Sequence, residues 1–428
     1  MESGNTASVA PPPRGATKTD REFVRATSGF QHRMPACAAF SVHVAFYLWY
    51  GTPALDGRWL HWDHATLPHW TDHMNERFPP GKPFIPPDEP HSPYYPARGL
   101  YSSRDESVLR EQMREIAAAG IDSVMLSWWG QAGKDFRRDS QGVSTDELVP
   151  AVLDAAAAAG VGVSWHVEPY GGRTPASVLD DLRYLHERFG AHPALWRQPP
   201  PAGSRDGSAS DGSASDGSAS SLPLVFLYDV SAEHTGGGSP AEKRRARAAW
   251  REVMRQVRGS PFDATVLSLF LDERDVDFVA DAGFDGAYSY FAASGFTEGS
   301  SPGGWRTLRQ RMAATGKAFA PSVGPGYNDT LIRPWNGGAT RPREGGRYYD
   351  EMWRAALDAS ASVVTITSYN EWGEGTQVEA ARPHVTAAGA AYADYAPDPG
   401  GAYLDRTREW ILRGRRERGC TAEERVEL

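Results

Sequence analysis

The chain has 428 residues, 40% of them hydrophobic and 23% charged, with 45 Lys plus Arg against 54 Asp plus Glu for a formal net charge of −9. That is the balance of a soluble globular protein with ample length for a large core. It argues against a general nucleic-acid binder, which needs a basic surface to displace counterions. Cys37 and Cys420 are the two cysteines, so a disulfide framework and a cysteine zinc site are excluded while one bridge between them stays open.

Residues 1–35 hold Pro11, Pro12 and Pro13 among scattered Gly and Ser. They read as a disordered N-terminal segment. No apolar run of signal-peptide or membrane-spanning type precedes the first strand. From residue 36 onward a pattern recurs: a short apolar run, a polar turn, an amphipathic helix. The apolar runs are 42–49, 121–128, 161–167, 223–229, 264–271, 284–291, 317–323 and 362–369. Near-continuous apolar character is expected of parallel strands buried on both faces.

The predicted helices are 105–119, 146–159, 174–189, 239–258, 273–281, 303–315, 347–358 and 402–417. In the first, Val108, Met113 and Ile116 face a core and Gly120 ends the helix; Gly160 ends the second. Val178, Leu179, Leu182 and Leu185 lie at helical spacing in the third. Eight strand–helix pairs in sequence predict one α/β domain, a (β/α)8 TIM barrel with long βα loops, over 36–418. An open doubly wound sheet is the competing architecture, but Trp49, Tyr50 and Gly51 after the first strand make no phosphate-binding turn. Residues 199–221 contain three Pro and then DGSAS three times. Splitting the chain there would strand half a barrel, so they read as a low-complexity loop insertion. Residues 419–428 read as a flexible tail.

Chemistry on such a barrel sits at the C-terminal strand ends. Those ends carry Tyr47, Trp49 and Tyr50; Trp128 and Trp129; His166, Glu168 and Tyr170; Tyr228 and Asp229; Tyr290; Arg333; and Asn370, Glu371, Trp372 and Glu374. Carboxylates beside aromatic platforms suit sugars, whose rings have an apolar face and polar edges. Glu371 and Glu374 are the sharpest pair. Their spacing puts both carboxyls on one side of a turn, and two close carboxylates drive their pKa values apart into an acid and a base. The competing account is two solvated acids, or charges favoured at a helix N-terminus. His61 and His64 in HWDH could hold a metal with Asp63, but no third His or Cys ligand is nearby. Hydrogen bonding to a hydroxyl, or loop packing, suits them better. Glu168 either binds a sugar hydroxyl or pairs with Arg173. Arg333 either clamps a substrate or makes a loop salt bridge.

The blocks FYLWYG, GLYSSRD, LSWW, HVEPYGGR, DGAYSYFA, PSVGPGY, IRPWN and NEWGEGTQVE occur in that order between about 40 and 410. Together they resemble glycoside hydrolase family 99, the endo-α-1,2-mannosidases. The resemblance implies retaining endo-hydrolysis of an α-1,2-mannosidic bond with neither metal nor cofactor. Animal members trim glucosylated mannose from N-glycans in the Golgi lumen; bacterial members cut yeast-type mannan. An α-1,2-linked mannose oligosaccharide is therefore the expected partner, and a monomer the expected state. By the same resemblance Glu371 is the base on the sugar 2-hydroxyl and Glu374 the general acid and then base. Glu168, Tyr290 and Arg333 would contact substrate, and Trp128 with Trp129 would form an aromatic wall. Two departures stand out. Gly373 occupies a position where many members have His, which would remove one neighbouring hydrogen bond. Trp129 stands where animal-type enzymes favour Tyr, which bears on the choice between Glc-Man and Man-Man.

Overall fold

The computed structural model describes residues 40–134, 137–201, 221–230 and 239–420. Strand β1 (Ser41–Phe46) runs parallel to β2 (Ser123–Trp128), and the ladder continues through β3 (Gly162–Val167), β4 (Leu222–Leu227), β5 (Thr265–Leu269) and β6 (Gly286–Tyr288). Strand β7 is broken by Pro321 into Ala318–Ala320 and Ser322–Val323. Its first half pairs with β6 and its second with β8 (Val363–Ile366), which returns to β1 and closes the barrel. The sequence pattern ran this strand unbroken over 317–323. Proline has no N–H for the ladder, so the pairing changes partner there. The other strands begin within two residues of where expected; β2 and β3 end where expected and the rest stop two or three residues earlier, and the residues beyond them form the rim of the site.

Helices α1 (Glu106–Ala118), α2 (Val149–Ala159), α3 (Pro175–Phe189), α4 (Pro240–Val257), α5 (Arg274–Ala282), α6 (Trp305–Ala314), α7 (Arg347–Asp358) and α8 (Ala402–Glu417) alternate with the strands. Asp105 caps α1 by accepting from the Ser107 and Val108 N–H groups. Gly160 closes α2 at φ 70°, a left-handed position that favours glycine. Val178, Leu179, Leu182 and Leu185 of α3 are all buried, as their spacing required; in α1, Met113 and Ile116 are buried but Val108 only half so.

Side-chain alternation along the strands divides the core in two. Ala45, Met125, Leu224, Phe226, Leu267 and Tyr288 fill the barrel interior, while Val44, Phe46, Val124, Leu126 and Val225 join the larger layer beneath the helices. The segment before β4 is anchored by Arg197 and Gln198, which pair antiparallel with Pro223 and Leu222. The DGSAS repeats, the segment 1–35, Cys37 with its open bridge, and most of the 419–428 tail lie outside the described residues. No helix among the described residues is long and apolar enough to cross a membrane.

Candidate active site

A cleft of ≈290 Å³ opens at the C-terminal end of the barrel. Glu371 and Glu374 lie on its floor, carried by the loop that leaves β8. That loop is a closed ring. Ser368 N–H donates to the Thr376 carbonyl (2.9 Å), Val378 N–H returns to the Ser368 carbonyl (2.9 Å), and Glu371 N–H donates to Ser368 Oγ (2.8 Å). Buried Arg343 braces it from below, donating to the Gly375 and Gln377 carbonyls at 2.9 and 2.7 Å. The rings of Tyr94, Tyr395 and Tyr403 surround that guanidinium at 4.5–4.7 Å, a cation–π cage that replaces its lost hydration.

Burial is the main reason the Glu371 carboxyl is pushed well above its ordinary value, and neighbouring Glu374 adds to it. Arg333 opposes the rise, as do the N–H groups of Gly373 and Glu374. Glu374 is also raised, again by burial, but its direct contact with Arg333 (Nη1 to Oε1, 3.2 Å) pulls it back. Arg333 stays charged: burial works against it, and Glu374, Tyr327 and Asp329 together more than compensate. Asp329 Oδ2 accepts from the same Nη1 at 3.1 Å.

The walls are aromatic. Tyr47 stacks on Trp49 (4.4 Å) and Trp49 on His61 (4.4 Å, 7° between planes), with Trp129 tilted beside Trp49 at 6.4 Å. His61 is fixed by Asp139 through Nε2 (2.7 Å). The Tyr47 and Tyr290 hydroxyls touch, and burial followed by the nearby charged and phenolic groups keeps both protonated. Glu168 accepts from Ser127 Oγ and faces His166 Nδ1, both at 2.8 Å, and His166 Nε2 reaches the Tyr288 hydroxyl at 2.7 Å. The suggested pairing with Arg173 is thus replaced by His166; Arg173 instead donates to the Val167 and Asp229 carbonyls. His64 completes the rim, its pKa lowered chiefly by burial.

Of the residues singled out on sequence, Glu371, Glu374, Tyr47, Trp49, Tyr50, Trp129, Glu168, Tyr228, Tyr290, Arg333, His61 and His64 line this cleft. His166 sits behind Glu168, and five others do not line it. Trp128 is fully buried and donates through Nε1 to Asp146 (2.8 Å). Alternation explains it: Ser127 points into the barrel, so its neighbour points out beneath the helices. The aromatic wall is therefore Trp49 with Trp129. Tyr170 turns its hydroxyl to Ser177 and Asp181 at the start of α3. Asp229 stands exposed past β4 at φ 49°. Asn370 and Trp372 are buried supports: Trp372 donates to Glu379 (2.9 Å), and Asn370 grips Tyr47. The cleft also includes Leu67, His91 and Ser140, which come from loops and carried no sequence signal, and Ile332 of the IRPWN block. Among the described residues no three His, Cys, Asp or Glu side chains are grouped as a metal site.

Comparison with known proteins comes to the same point. The model of glycosyl hydrolase family 99 matches residues 38–416. A zebrafish (Danio rerio) glycoprotein endo-α-1,2-mannosidase-like protein is 37% identical over 401 residues, 92% of this chain and 82% of its own length. A glycoprotein endo-α-1,2-mannosidase of Rattus norvegicus is 38% identical over 89% of this chain and 76% of its own. The solved endo-α-mannosidase of Bacteroides thetaiotaomicron superposes with a TM-score of 0.72 at 33% identity, covering 88% of this chain and 98% of that one.

Proposed function

The chain belongs to glycosyl hydrolase family 99, and from that premise we propose that it is a retaining endo-α-1,2-mannosidase. The observation that carries the reading is the convergence of Glu371, Glu374 and Arg333 on the floor of an aromatic cleft. Glu371 takes the proton of the sugar 2-hydroxyl, whose oxygen attacks the anomeric carbon from the side opposite the leaving group. The anomeric bond to the leaving oxygen breaks while Glu374 protonates that oxygen. Water then opens the 1,2-anhydro sugar, giving its proton to Glu374 as Glu371 returns one to the 2-oxygen. Two inversions give net retention, and the substrate's own hydroxyl does the work usually given to a carboxylate nucleophile. The productive arrangement holds the single proton on Glu374.

The substrate proposed is the glucosylated arm of a high-mannose N-glycan, in the Golgi lumen; the name glycoprotein endo-α-1,2-mannosidase of a vertebrate relative supports the glycoprotein part of that reading. One observation favours a second substrate, external α-mannan. Trp129 commits its Nε1 to Ser127 Oγ (3.2 Å) and so offers the sugar a ring face without a hydroxyl. Product analysis decides. Incubation with a singly glucosylated high-mannose glycan should release a Glc-Man disaccharide, read by mass. Man-Man from α-1,2-branched mannan alone would move the enzyme to mannan degradation. Binding of both without any cleavage would reduce it to a glycan-binding barrel.

A further inference from the structure

One cleft residue has no role so far. His91 comes from the long loop between β1 and α1 and is only 4% exposed. Its Nε2 has no hydrogen-bond partner among the described residues, and neither has Glu371 Oε2. Buried polar atoms are rarely left that way, and when they are, a functional demand is the usual reason.

Gly373 ties the two together. A Cβ placed on it would lie 2.9 Å from His91 Cε1, 3.3 Å from His91 Nδ1 and 3.0 Å from Glu371 Oε1. The imidazole edge and the carboxylate thus converge on one point above residue 373. The backbone there is outside the left-handed region, so it does not demand glycine. His91 and Glu371 demand it, by filling the space a side chain would need. Burial, helped by His64, pushes the His91 pKa down to about 3 against the pull of the His61 carbonyl, so the ring is neutral and can donate or accept.

We propose that His91 is a positioning residue for Glu371: its imidazole, delivered from the β1 loop, holds the carboxylate from the space that a residue-373 side chain would occupy, so positions 91 and 373 share room for one imidazole. The imidazole that residue 373 lacks is then supplied from elsewhere in the chain. The role of Glu371 as base rests on the function proposed above; the shared space does not.

The test is an exchange. H91G, G373H and the double variant H91G/G373H are compared by kcat, KM and thermal midpoint on an α-1,2-linked mannoside. H91G should lose about ten- to hundredfold in kcat, the cost of a carboxylate no longer held in place, with KM changed less than about twofold. G373H alone should lose thermal stability, and the double variant should regain both properties. Should H91G fail to fold, H91N keeps a smaller polar group and should lose less kcat than any apolar replacement. Wild-type kcat in H91G, or losses that simply add in the double variant, would overturn the proposal. If the wild type cleaves no α-mannoside the proposed function falls, and the thermal midpoints still decide whether positions 91 and 373 compete.

Discussion

Tyr47 and Asn370 hold each other twice: the Tyr47 N–H donates to Asn370 Oδ1 at 2.8 Å, and Asn370 Nδ2 donates to the Tyr47 carbonyl at 3.0 Å. The first and last strands of the barrel are thus clamped where both end. Tyr50 extends the clamp, its hydroxyl donating to the Asn370 carbonyl (2.9 Å) and accepting from Trp372 N–H (3.0 Å). The residue on either side of Glu371 is therefore fixed to the β1 end, and an acid–base pair needs that precision.

Asn370→Ala leaves both Tyr47 backbone groups buried and unpaired. At about 1–3 kcal/mol for each buried group left unsatisfied, the variant should lose roughly 2–6 kcal/mol in denaturant unfolding. kcat should fall with it. Unchanged stability would show that solvent or a neighbour replaces the clamp at no cost.

Glu374→Gln keeps the shape of the cleft and removes the proton donor. Turnover of an α-mannoside with a poor leaving group should drop by about 10²–10⁴-fold, the usual share of general acid–base catalysis. An activated aryl leaving group should restore the first step, because it departs without a proton. Glu371→Gln should not be restored that way, since the 2-hydroxyl still needs a base. Equal rescue of both variants would contradict the assigned roles.

Much of this was readable beforehand, for reasons that differ by residue. The barrel was legible because eight buried strands leave eight apolar runs, and the paired acids were legible because the eighth run ends just before them. The resemblance implies a wall of Trp128 with Trp129, but the period-2 alternation of a strand sends Trp128 outward beneath the helices. Asn370 and Trp372 sit beside catalytic candidates yet face away, and only their partners Tyr47 and Glu379 reveal it. His91 could not have been found. It lies in a loop without periodicity, and what distinguishes it is its distance to Gly373, 282 positions away in the chain.

The two neighbouring tryptophans should separate cleanly. Trp128→Ala removes a fully buried indole and its bond to Asp146, so about 3–5 kcal/mol of stability should go. Trp129→Tyr should leave the thermal midpoint nearly unchanged and instead shift the ratio of kcat/KM between Glc-Man and Man-Man substrates toward Glc-Man. An unaltered ratio would remove Trp129 from substrate selection.

The pH behaviour follows from the two raised carboxyls. Activity needs one proton shared between Glu371 and Glu374, so kcat/KM should be bell-shaped, with the limbs belonging to the pair as a whole. Both groups lie above their ordinary value of 4.5, so both limbs should fall above about pH 4.5. Arg333 lowers both groups. Arg333→Gln should therefore delay the first ionisation and move the acidic limb to higher pH. Stability carries the complementary signature. A carboxyl whose pKa is raised on folding stabilises the fold fully below its unfolded value, and that contribution is lost as pH rises through the folded value. The wild-type melting point should accordingly decline from about pH 4.5 upward as Glu371 is forced to ionise. Glu371→Gln never ionises, so it should match the wild type in acid and melt higher at neutral pH. A variant that melts lower than the wild type at neutral pH would mean that the buried carboxylate stabilises the fold, against the sign derived from its burial.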